Sequence, residues 1–147
     1  DGSIQINIQE MQTLKSNNLP VKIIVINNNG YGIIKQFQAL YLNKRYEASI
    51  PKKGVTNPDF KKIIRAYGIN YNVINKNSDI AKVLKKTLNT NKPEFIEVMI
   101  KPDQKIIPKL QFGNPIEDLS PLLSRKEFAE NMLVKTVNRS KKIFEAN

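Results

Sequence analysis

Short apolar runs alternate with amphipathic stretches along this chain, and this alternation constrains the fold more than any other feature. The runs at residues 21–26, 71–74 and 95–100 are rich in Val and Ile, which is typical of buried strands. The stretches between them carry apolar residues at helical spacing. Because alternating strands and helices build parallel sheets with right-handed crossovers, the sequence predicts an α/β domain with a largely parallel sheet and helices on both faces.

Capping residues and apolar spacing predict where the helices lie. Residues 3–18 are predicted as one helix that begins after the N-cap Ser3 and carries Ile4, Ile8 and Met11 on one face. The alternation at positions 4, 6 and 8 would also fit a strand, but the length of the segment and its Gln and Glu content favour a helix.

Two more helices are predicted between the later strands. One begins at residues 57–59, where a cap is followed by proline, and ends at Gly68. The other opens at Ser78 or Asp79. The residues predicted to face the core are Phe60, Ile63, Ile64 and Tyr67 in the first and Ile80, Val83, Leu84 and Leu88 in the second.

Two regions interrupt the alternation. Residues 44–56 show no clear period and are predicted as a mobile surface loop. Residues 102–121 contain prolines at positions 102, 108, 115 and 121 and are predicted as an extended arm that leaves the sheet. An amphipathic helix at residues 124–137, with Phe128, Met132 and Leu133, is expected to follow. The sequence therefore predicts a domain at residues 1–101 and a C-terminal arm and helix at residues 102–147.

Composition excludes several classes of function. The chain contains no Cys and no His, so it has no disulfide, thiol nucleophile, imidazole metal ligand or His-based triad. No apolar run approaches the roughly 20 residues of a membrane span, and residues 1–3 do not resemble a signal peptide, so we expect a cytoplasmic protein without a membrane partner. The net charge is +11, but the Lys residues are spread along the chain. We therefore expect no nucleic-acid partner, although an anionic ligand would benefit from the charge.

The first residues and the end of the first strand form a candidate metal corner. A helix over residues 3–18 rises roughly 24 Å, and a strand over residues 21–27 returns roughly 23 Å, which brings Asn27, Asn28 and Asn29 level with Asp1. Carboxylate and amide oxygens suit Mg²⁺ that also binds phosphate oxygens. Gly2 would let a diphosphate approach the backbone, and Gly30 and Gly32 are expected to permit the tight turn after the Asn run.

These residues resemble a known cofactor motif. Asp1-Gly2-Ser3, the stretch from Ser3 to Ile26 and Asn27-Asn28 resemble the thiamine diphosphate motif that begins Gly-Asp-Gly and ends Asn-Asn. Residues 7–11, 18–23, 28–32, 35–38, 57–60 and 66–68 are similar to the diphosphate-binding domain of acetolactate synthase-like enzymes. The resemblance spans residues 1–101, and the segment 113–122 more weakly resembles the tail of members from sugar and surface-polysaccharide pathways.

The resemblance implies a role for each residue of the corner. Asp1 and Asn28 would bind Mg²⁺ through side-chain oxygens, and Gly30 through its backbone carbonyl. Gly2 and Ser3 would cradle the diphosphate. The further cofactor-binding residues that it implies are Tyr31, Gly32 and Ile33. For Asn27 we expect a bracing role on the backbone. The sequence Gly30-Tyr31-Gly32 is no dinucleotide fingerprint, because Lys35 stands where the third glycine belongs.

The sequence departs from the family pattern at its start. The leading Gly of the motif is absent, as is the pyrimidine-binding domain whose glutamate activates the cofactor in this family, so no catalytic residue is assigned here. Any FAD would also bind a missing domain. The resemblance thus implies the C-terminal part of a longer enzyme that works as a homodimer or homotetramer, and we expect this chain alone to be inactive.

The implied activity is the making or breaking of a C–C bond next to a carbonyl, with a 2-oxo acid or aldehyde as substrate. A thiamine diphosphate-dependent decarboxylase or lyase is one alternative, and a noncatalytic, degenerate binding module is another. Ile33 and Phe37 lie one helical turn apart and would face the substrate channel, where acetolactate synthases usually carry Trp at the position of Phe37. Both residues would fit a buried core equally well.

Overall fold

The computed structural model describes residues 2–137 and divides them into two compact units. The first unit ends at Lys105, and the second begins at Ile106. Asp1, the predicted metal ligand, lies outside the described residues. Among the residues that are described, none of the helices has the length and apolar character needed to cross a bilayer.

The first unit alternates helices and strands as the sequence predicts. A 3₁₀ helix at Gly2–Asn7 and α1 at Glu10–Ser16 precede β1 at Lys22–Asn27. Next come α2 at Gly32–Tyr41, a short 3₁₀ turn at Pro51–Lys53 and α3 at Phe60–Ala66. The unit continues with β2 at Asn70–Ile74, α4 at Asn77–Leu88 and β3 at Glu94–Met99.

The three strands form one parallel sheet in the order β1-β3-β2. The central strand is therefore the last one in the chain, and its Glu97 stands in register with Val25 on one side and Val73 on the other. The predicted α/β class with a parallel sheet is confirmed.

Helices lie on both faces of the sheet. The core on one face contains the buried side chains Val25 and Phe95 from the strands and Met11, Phe60 and Ile64 from the helices. Tyr71 of β2 packs against this core. Because successive residues of a strand point to opposite faces, its neighbour Asn72 lies on the other face. There the Lys86 ammonium of α4 donates to the Asn72 side-chain oxygen at 3.1 Å.

The N-terminal segment differs from the prediction. The prediction of a single helix from Ser3 to Asn18 is wrong, because a 3₁₀ helix begins at Gly2 and the α-helix begins only at Glu10. Ile4 and Ile8 nevertheless pack against the core beside buried Met11. Residues about one turn apart share a face in both helix types, and a turn is 3.0 residues in one and 3.6 in the other, so a few apolar positions cannot distinguish them.

Two other helix starts also differ from the prediction. Asp59, rather than Asn57, caps α3, and its carboxylate accepts from the Lys62 backbone N–H at 3.1 Å. Helix α4 begins at Asn77, because the Asp79 carboxylate reaches back to the N–H groups of residues 75 and 76.

The second unit holds the arm and one helix. Lys109 and Ser120 exchange two backbone hydrogen bonds of 2.9 and 2.7 Å, so the proline-rich arm folds back on itself. Helix α5 spans Arg125–Asn131 and is capped by Ser124, which accepts from the Glu127 N–H at 3.2 Å. It is shorter than predicted, because the backbone becomes extended at Met132. Leu133 is 99% exposed. Of the three apolar residues predicted for this helix, only Phe128 is buried.

Candidate functional site

The candidate site lies where β1 ends and α2 begins, at the carboxyl edge of the parallel sheet. Open α/β sheets bind ligands at this edge. Residues 28–31 connect the two elements, and Gly32 is the first residue of α2. The predicted residues Asn28, Gly30, Tyr31, Gly32 and Ile33 therefore lie together at one corner of the sheet.

Asn27 braces this connection, as predicted. Its side-chain N–H donates to Glu97 Oε1 at 2.5 Å. Its side-chain oxygen accepts from the Asn29 backbone N–H at 2.8 Å and from the Asn57 amide at 3.3 Å. Asn27 is 6% exposed, so these bonds replace water in a dry environment, where an unmade bond would be costly.

The turn after Asn27 works differently from the prediction. Asn29, not a glycine, takes the left-handed conformation, with φ of 58°, which Asn tolerates better than most residues. Gly30 and Gly32 are needed for space. A Cβ on Gly30 would stand 2.7 Å from the Ser49 carbonyl oxygen, and one on Gly32 would stand 2.2 Å from Asn28 Nδ2.

Asn28 carries the most informative atom of the site. Its side-chain oxygen is buried and accepts no hydrogen bond from the described residues. Buried polar oxygens are nearly always paired, so an unpaired one marks a place for a ligand or an ion. Asn28 also lines a cleft of about 20 Å³ together with Gly30, Lys35, Ser49 and Pro51. That volume suits one water-sized ligand.

The segment predicted as a mobile loop is anchored to this corner. It is irregular apart from the 3₁₀ turn, but Ser49 is 1% exposed and Val55 is 5% exposed. The Ser49 hydroxyl donates to the side-chain oxygen of Gln38 on α2 at 2.5 Å, and the Ser49 carbonyl accepts from the Tyr31 N–H at 3.0 Å. These contacts hold the backbone next to Gly30 in place.

The start of the chain meets the same corner. A Cβ on Gly2 would stand 1.9 Å from a ring carbon of Tyr31, so residue 2 lies directly beside the connection after β1. The expected return of the chain to its start is thus seen at Gly2, while Asp1 lies outside the described residues. Ser3 is exposed. The roles of Asp1, Gly2 and Ser3 toward a diphosphate stay predictions.

The two residues proposed for a substrate channel lie on the surface of this unit. Ile33 is 70% exposed and Phe37 is 38% exposed, so neither is the buried core residue that the alternative required. The rings of Phe37 and Tyr41 contact each other, with centroids 5.0 Å apart. Their role toward substrate stays a prediction.

Sequence reasoning missed two residues that support the site. The Tyr71 hydroxyl donates to Glu97 Oε2, and the Tyr71 ring stacks on Phe95. Burial raises the pKa of Tyr71 above its usual 10.0, and the hydrogen bond to Glu97 raises this pKa further. The available signal was a charged residue, Glu97, inside an otherwise apolar strand, because such a residue needs partners when buried.

The donors available here are oxygens of amides and of the backbone. No cluster of three or more His, Cys, Asp or Glu residues that could hold a metal occurs within residues 2–137. The unpaired Asn28 oxygen and the backbone carbonyls of the turn are hard donors, which suit Mg²⁺ that keeps part of its shell for phosphate and water. The described residues therefore fit a partly protein-bound Mg²⁺.

Known proteins are similar in sequence to this chain. Residues 1–98 match the family described as thiamine pyrophosphate enzyme, C-terminal TPP binding domain. The mitochondrial acetolactate synthase of Schizosaccharomyces pombe is 32% identical over 116 residues, which cover 79% of this chain and 17% of that protein. Isozyme 2 large subunit of acetolactate synthase from Escherichia coli is 30% identical over 124 residues, covering 84% and 22%.

A solved structure gives the same result for the fold. The thiamine diphosphate-dependent 4-hydroxybenzoylformate decarboxylase of Rhodococcus jostii RHA1 superposes with a TM-score of 0.61 at 28% identity. The match covers 71% of this chain and 19% of that one. The chain thus spans about a fifth of the length of the curated relatives that it matches.

Proposed function

The chain belongs to the thiamine pyrophosphate enzymes, as their C-terminal TPP-binding domain, and from this premise we propose that it holds the diphosphate end of the cofactor through Mg²⁺. The observation that carries the proposal is the buried side-chain oxygen of Asn28, which accepts no hydrogen bond from any residue between 2 and 137. An ion bound there would supply the missing partner. Asp1 and the Gly30 carbonyl would complete the protein ligands, and Gly2 and Ser3 would line the diphosphate.

The remaining residues of the corner would shape the cofactor pocket. Tyr31, Gly32 and Ile33 follow the metal ligands directly and begin α2. Because free N–H groups at a helix start favour negative charge, the first turn of α2 is suited to lie near the diphosphate. The net charge of +11 also favours an anionic cofactor.

We propose that the reaction makes or breaks a C–C bond next to a carbonyl. When bound, thiamine diphosphate supplies the carbon nucleophile for that chemistry. This chain would contribute orientation, a fixed metal and a surface next to the substrate. Ile33 and Phe37 would contact the substrate from α2.

A 2-oxo acid is the substrate class that we favour, with acetolactate synthase-like condensation as the reaction. Acetolactate synthases are about 30% identical to this chain over most of its length. Decarboxylation is the second candidate, supported by the likeness to a 4-hydroxybenzoylformate decarboxylase. The chain alone would be inactive, because the activating glutamate and part of the pocket belong to another domain, and lost orientation can cost orders of magnitude in rate.

Assembly as a homodimer or homotetramer would complete the site. The apolar surface of this unit supports that proposal, because Ile24 and Ile26 on β1 are 51% and 50% exposed. Contiguous exposed apolar residues favour a contact with another domain or subunit.

The test is calorimetric titration of the full-length protein with thiamine diphosphate, with and without Mg²⁺. We expect saturable binding that requires Mg²⁺ and weakens in Asp1→Ala. Product analysis with pyruvate then separates condensation from decarboxylation. Cofactor binding without turnover of any 2-oxo acid would identify a noncatalytic module, and the absence of binding would refute the proposal. Turnover by the purified 147-residue chain would contradict its predicted inactivity.

A further inference from the structure

A buried carboxylate controls the orientation of the Asn27 amide. Glu97 is 7% exposed in the central strand, and its Oε1 lies 2.5 Å from Asn27 Nδ2. A carboxylate accepts hydrogen bonds and has none to donate when ionised, so only the N–H side of the Asn27 amide can face it. The oxygen of Asn27 must therefore point away from β3.

The second carboxylate oxygen is held by Tyr71. The Tyr71 hydroxyl donates to Glu97 Oε2, and its ring is stacked on Phe95 with 6.2 Å between centroids. Because both oxygens are engaged by different partners, the Glu97 side chain cannot rotate without breaking a bond. Glu97 is thus a rigid acceptor at the centre of the sheet.

The orientation of Asn27 determines the turn that carries Asn28. The Asn27 oxygen accepts from the Asn29 N–H at 2.8 Å, which closes the turn around residue 28. It also accepts from Asn57, whose own oxygen accepts from Gln5 at 3.3 Å. A series of hydrogen bonds therefore leads from Tyr71 through Glu97 and Asn27 to the Asn29 N–H, in the turn that carries Asn28.

We infer that Glu97, held by Tyr71, is a positioning residue that sets the affinity of the Asn28 corner for Mg²⁺ and thereby for the cofactor. This inference rests on the proposed function of that corner. Partners that orient metal ligands typically change metal affinity 10–100-fold when they are removed. Glu97 would act without touching metal or cofactor, through a bond to the residue before the ligand.

The same strand offers a matched control. Glu94 is 3% exposed and accepts from Asn70, Asn72 and Thr90 at 3.0, 2.9 and 3.2 Å. It lies at the opposite end of β3 from Asn27, in register with Lys22. If Glu97 were only a structural residue, replacing either glutamate would have the same consequences.

The experiment compares Glu97→Met, Glu97→Gln and Glu94→Met in the full-length protein. Thiamine diphosphate is titrated at a series of Mg²⁺ concentrations. We expect Glu97→Met to weaken the Mg²⁺-dependent affinity tenfold or more. Glu97→Gln should stay within about threefold, because its amide oxygen can still accept from Asn27. Glu94→Met should lose stability but keep its affinity. Equal affinities in the two Met variants would overturn the inference.

A reciprocal exchange keeps the test decisive if Glu97→Met does not fold. Asn27→Asp places a carboxylate against Glu97 and should weaken binding. Asn27→Asp combined with Glu97→Gln reverses donor and acceptor, so the amide introduced at position 97 donates and the new carboxylate still accepts from Asn29. We expect the double variant to regain most of the affinity. A double variant no better than Asn27→Asp would overturn the positioning role.

Hydrogen exchange of the cofactor-free protein separates this inference from the proposed function. Amides of residues 27–32 should exchange faster in Glu97→Met than in Glu94→Met, whether or not a cofactor binds. Unchanged exchange there would overturn the positioning role alone. A wild-type protein that fails to bind thiamine diphosphate with Mg²⁺ would overturn the proposed function and, with it, the inferred effect on affinity.

Discussion

Glu94 and Glu97 lie on the same strand, are both buried and both accept several hydrogen bonds, yet they serve opposite ends of the sheet. At the amino end, Glu94 accepts from Asn70, Asn72 and Thr90, and Asn72 in turn accepts from Lys86. These bonds join β2 to β3 and α4 to β2, and they tie the loop residue Thr90 to β3. This network links parts of the fold to one another and so stabilises it.

At the carboxyl end, the corresponding network leads to a ligand position. Bonds from Glu97 through Asn27 order a turn, and the Asn28 oxygen in that turn is buried without a described partner. Burial and hydrogen bonding of a carboxylate therefore do not by themselves reveal its role. What distinguishes the two networks is that only the one at the carboxyl end leads to a buried polar atom without a partner among the described residues.

The largest expected difference between the two ends comes from Asn28→Ala and Asn72→Ala. Asn28→Ala should weaken Mg²⁺-dependent binding of thiamine diphosphate tenfold or more, roughly 1.4 kcal/mol. Its unfolding free energy should change by no more than about 0.5 kcal/mol, because the lost oxygen has no partner in the described part of the fold.

Asn72→Ala should give the reverse. It removes one hydrogen-bond partner from Glu94 and one from Lys86, which should cost about 1–3 kcal/mol of stability with the affinity unchanged. Urea unfolding and calorimetry measure both quantities. If Asn28→Ala destabilised the fold as much as Asn72→Ala, the two ends would not differ in the way described.

Tyr71→Phe should have an intermediate effect, with a distinct pH dependence. Loss of the hydroxyl leaves Glu97 with one partner fewer and should cost about 1 kcal/mol near neutral pH. The pKa of Tyr71 is raised, so the folded state binds the phenolic proton more tightly than the unfolded state. This contribution to stability is complete below the usual pKa of 10.0 and is lost as the pH rises through the higher pKa of the folded state.

Wild type and Tyr71→Phe should therefore be compared by denaturant unfolding from about pH 8 to about pH 11. Above about pH 10 the unfolded state begins to lose the proton, so the free energy of unfolding of the wild type should fall more steeply than that of the variant. Parallel pH profiles would show that the hydroxyl is not held by Glu97. Both proteins contain the same Lys residues, so the difference between their unfolding free energies at each pH removes the contribution of Lys titration.

A smaller effect is expected from Gly32→Ala, because the added Cβ meets a flexible side chain. It would stand 2.2 Å from Asn28 Nδ2 and must displace the amide, so Mg²⁺-dependent affinity should fall about threefold, roughly 0.7 kcal/mol. Stability should not fall, since Ala favours a helix over Gly.

Gly54→Ala is the matched control for Gly32→Ala. Nothing lies within 4 Å of its added Cβ, but its φ of 93° is strained for Ala. It should lose about 1–2 kcal/mol of stability and keep its affinity. A loss of affinity in Gly54→Ala equal to that in Gly32→Ala would remove the special role of the space beside Asn28.

Phe37→Ala should have little effect on stability and none on cofactor affinity. The side chain is 38% exposed, so the unfolding free energy should drop by only about 0.5 kcal/mol. If α2 contacts the substrate, kcat/KM should change with the size of the 2-oxo acid while cofactor affinity stays constant. Leu88→Ala at the end of α4, at 53% exposure, is the control that should leave the substrate preference unaltered. An unaltered preference in Phe37→Ala as well would remove Phe37 from the substrate surface.

Patterns along the chain were enough to predict the alternation of strands and helices, the parallel sheet and the corner that contains Asn28, Gly30 and Gly32. These features follow from periodicity and from the carboxyl-edge rule, which depend on neighbours along the chain. The bracing role of Asn27 was also predictable, since Asn commonly closes a turn through the N–H two residues ahead.

The contacts that hold the corner in place join residues that are far apart in the chain. Asn27 and Glu97 are separated by 70 positions, and Tyr71 and Glu97 by 26, so no local pattern pairs them. The glycines were expected to serve the turn, but the structure shows that an added Cβ would meet the Ser49 carbonyl at Gly30 and the Asn28 amide at Gly32. Local sequence specifies backbone preferences, whereas the partner of a buried polar atom depends on which distant segments the fold brings beside it.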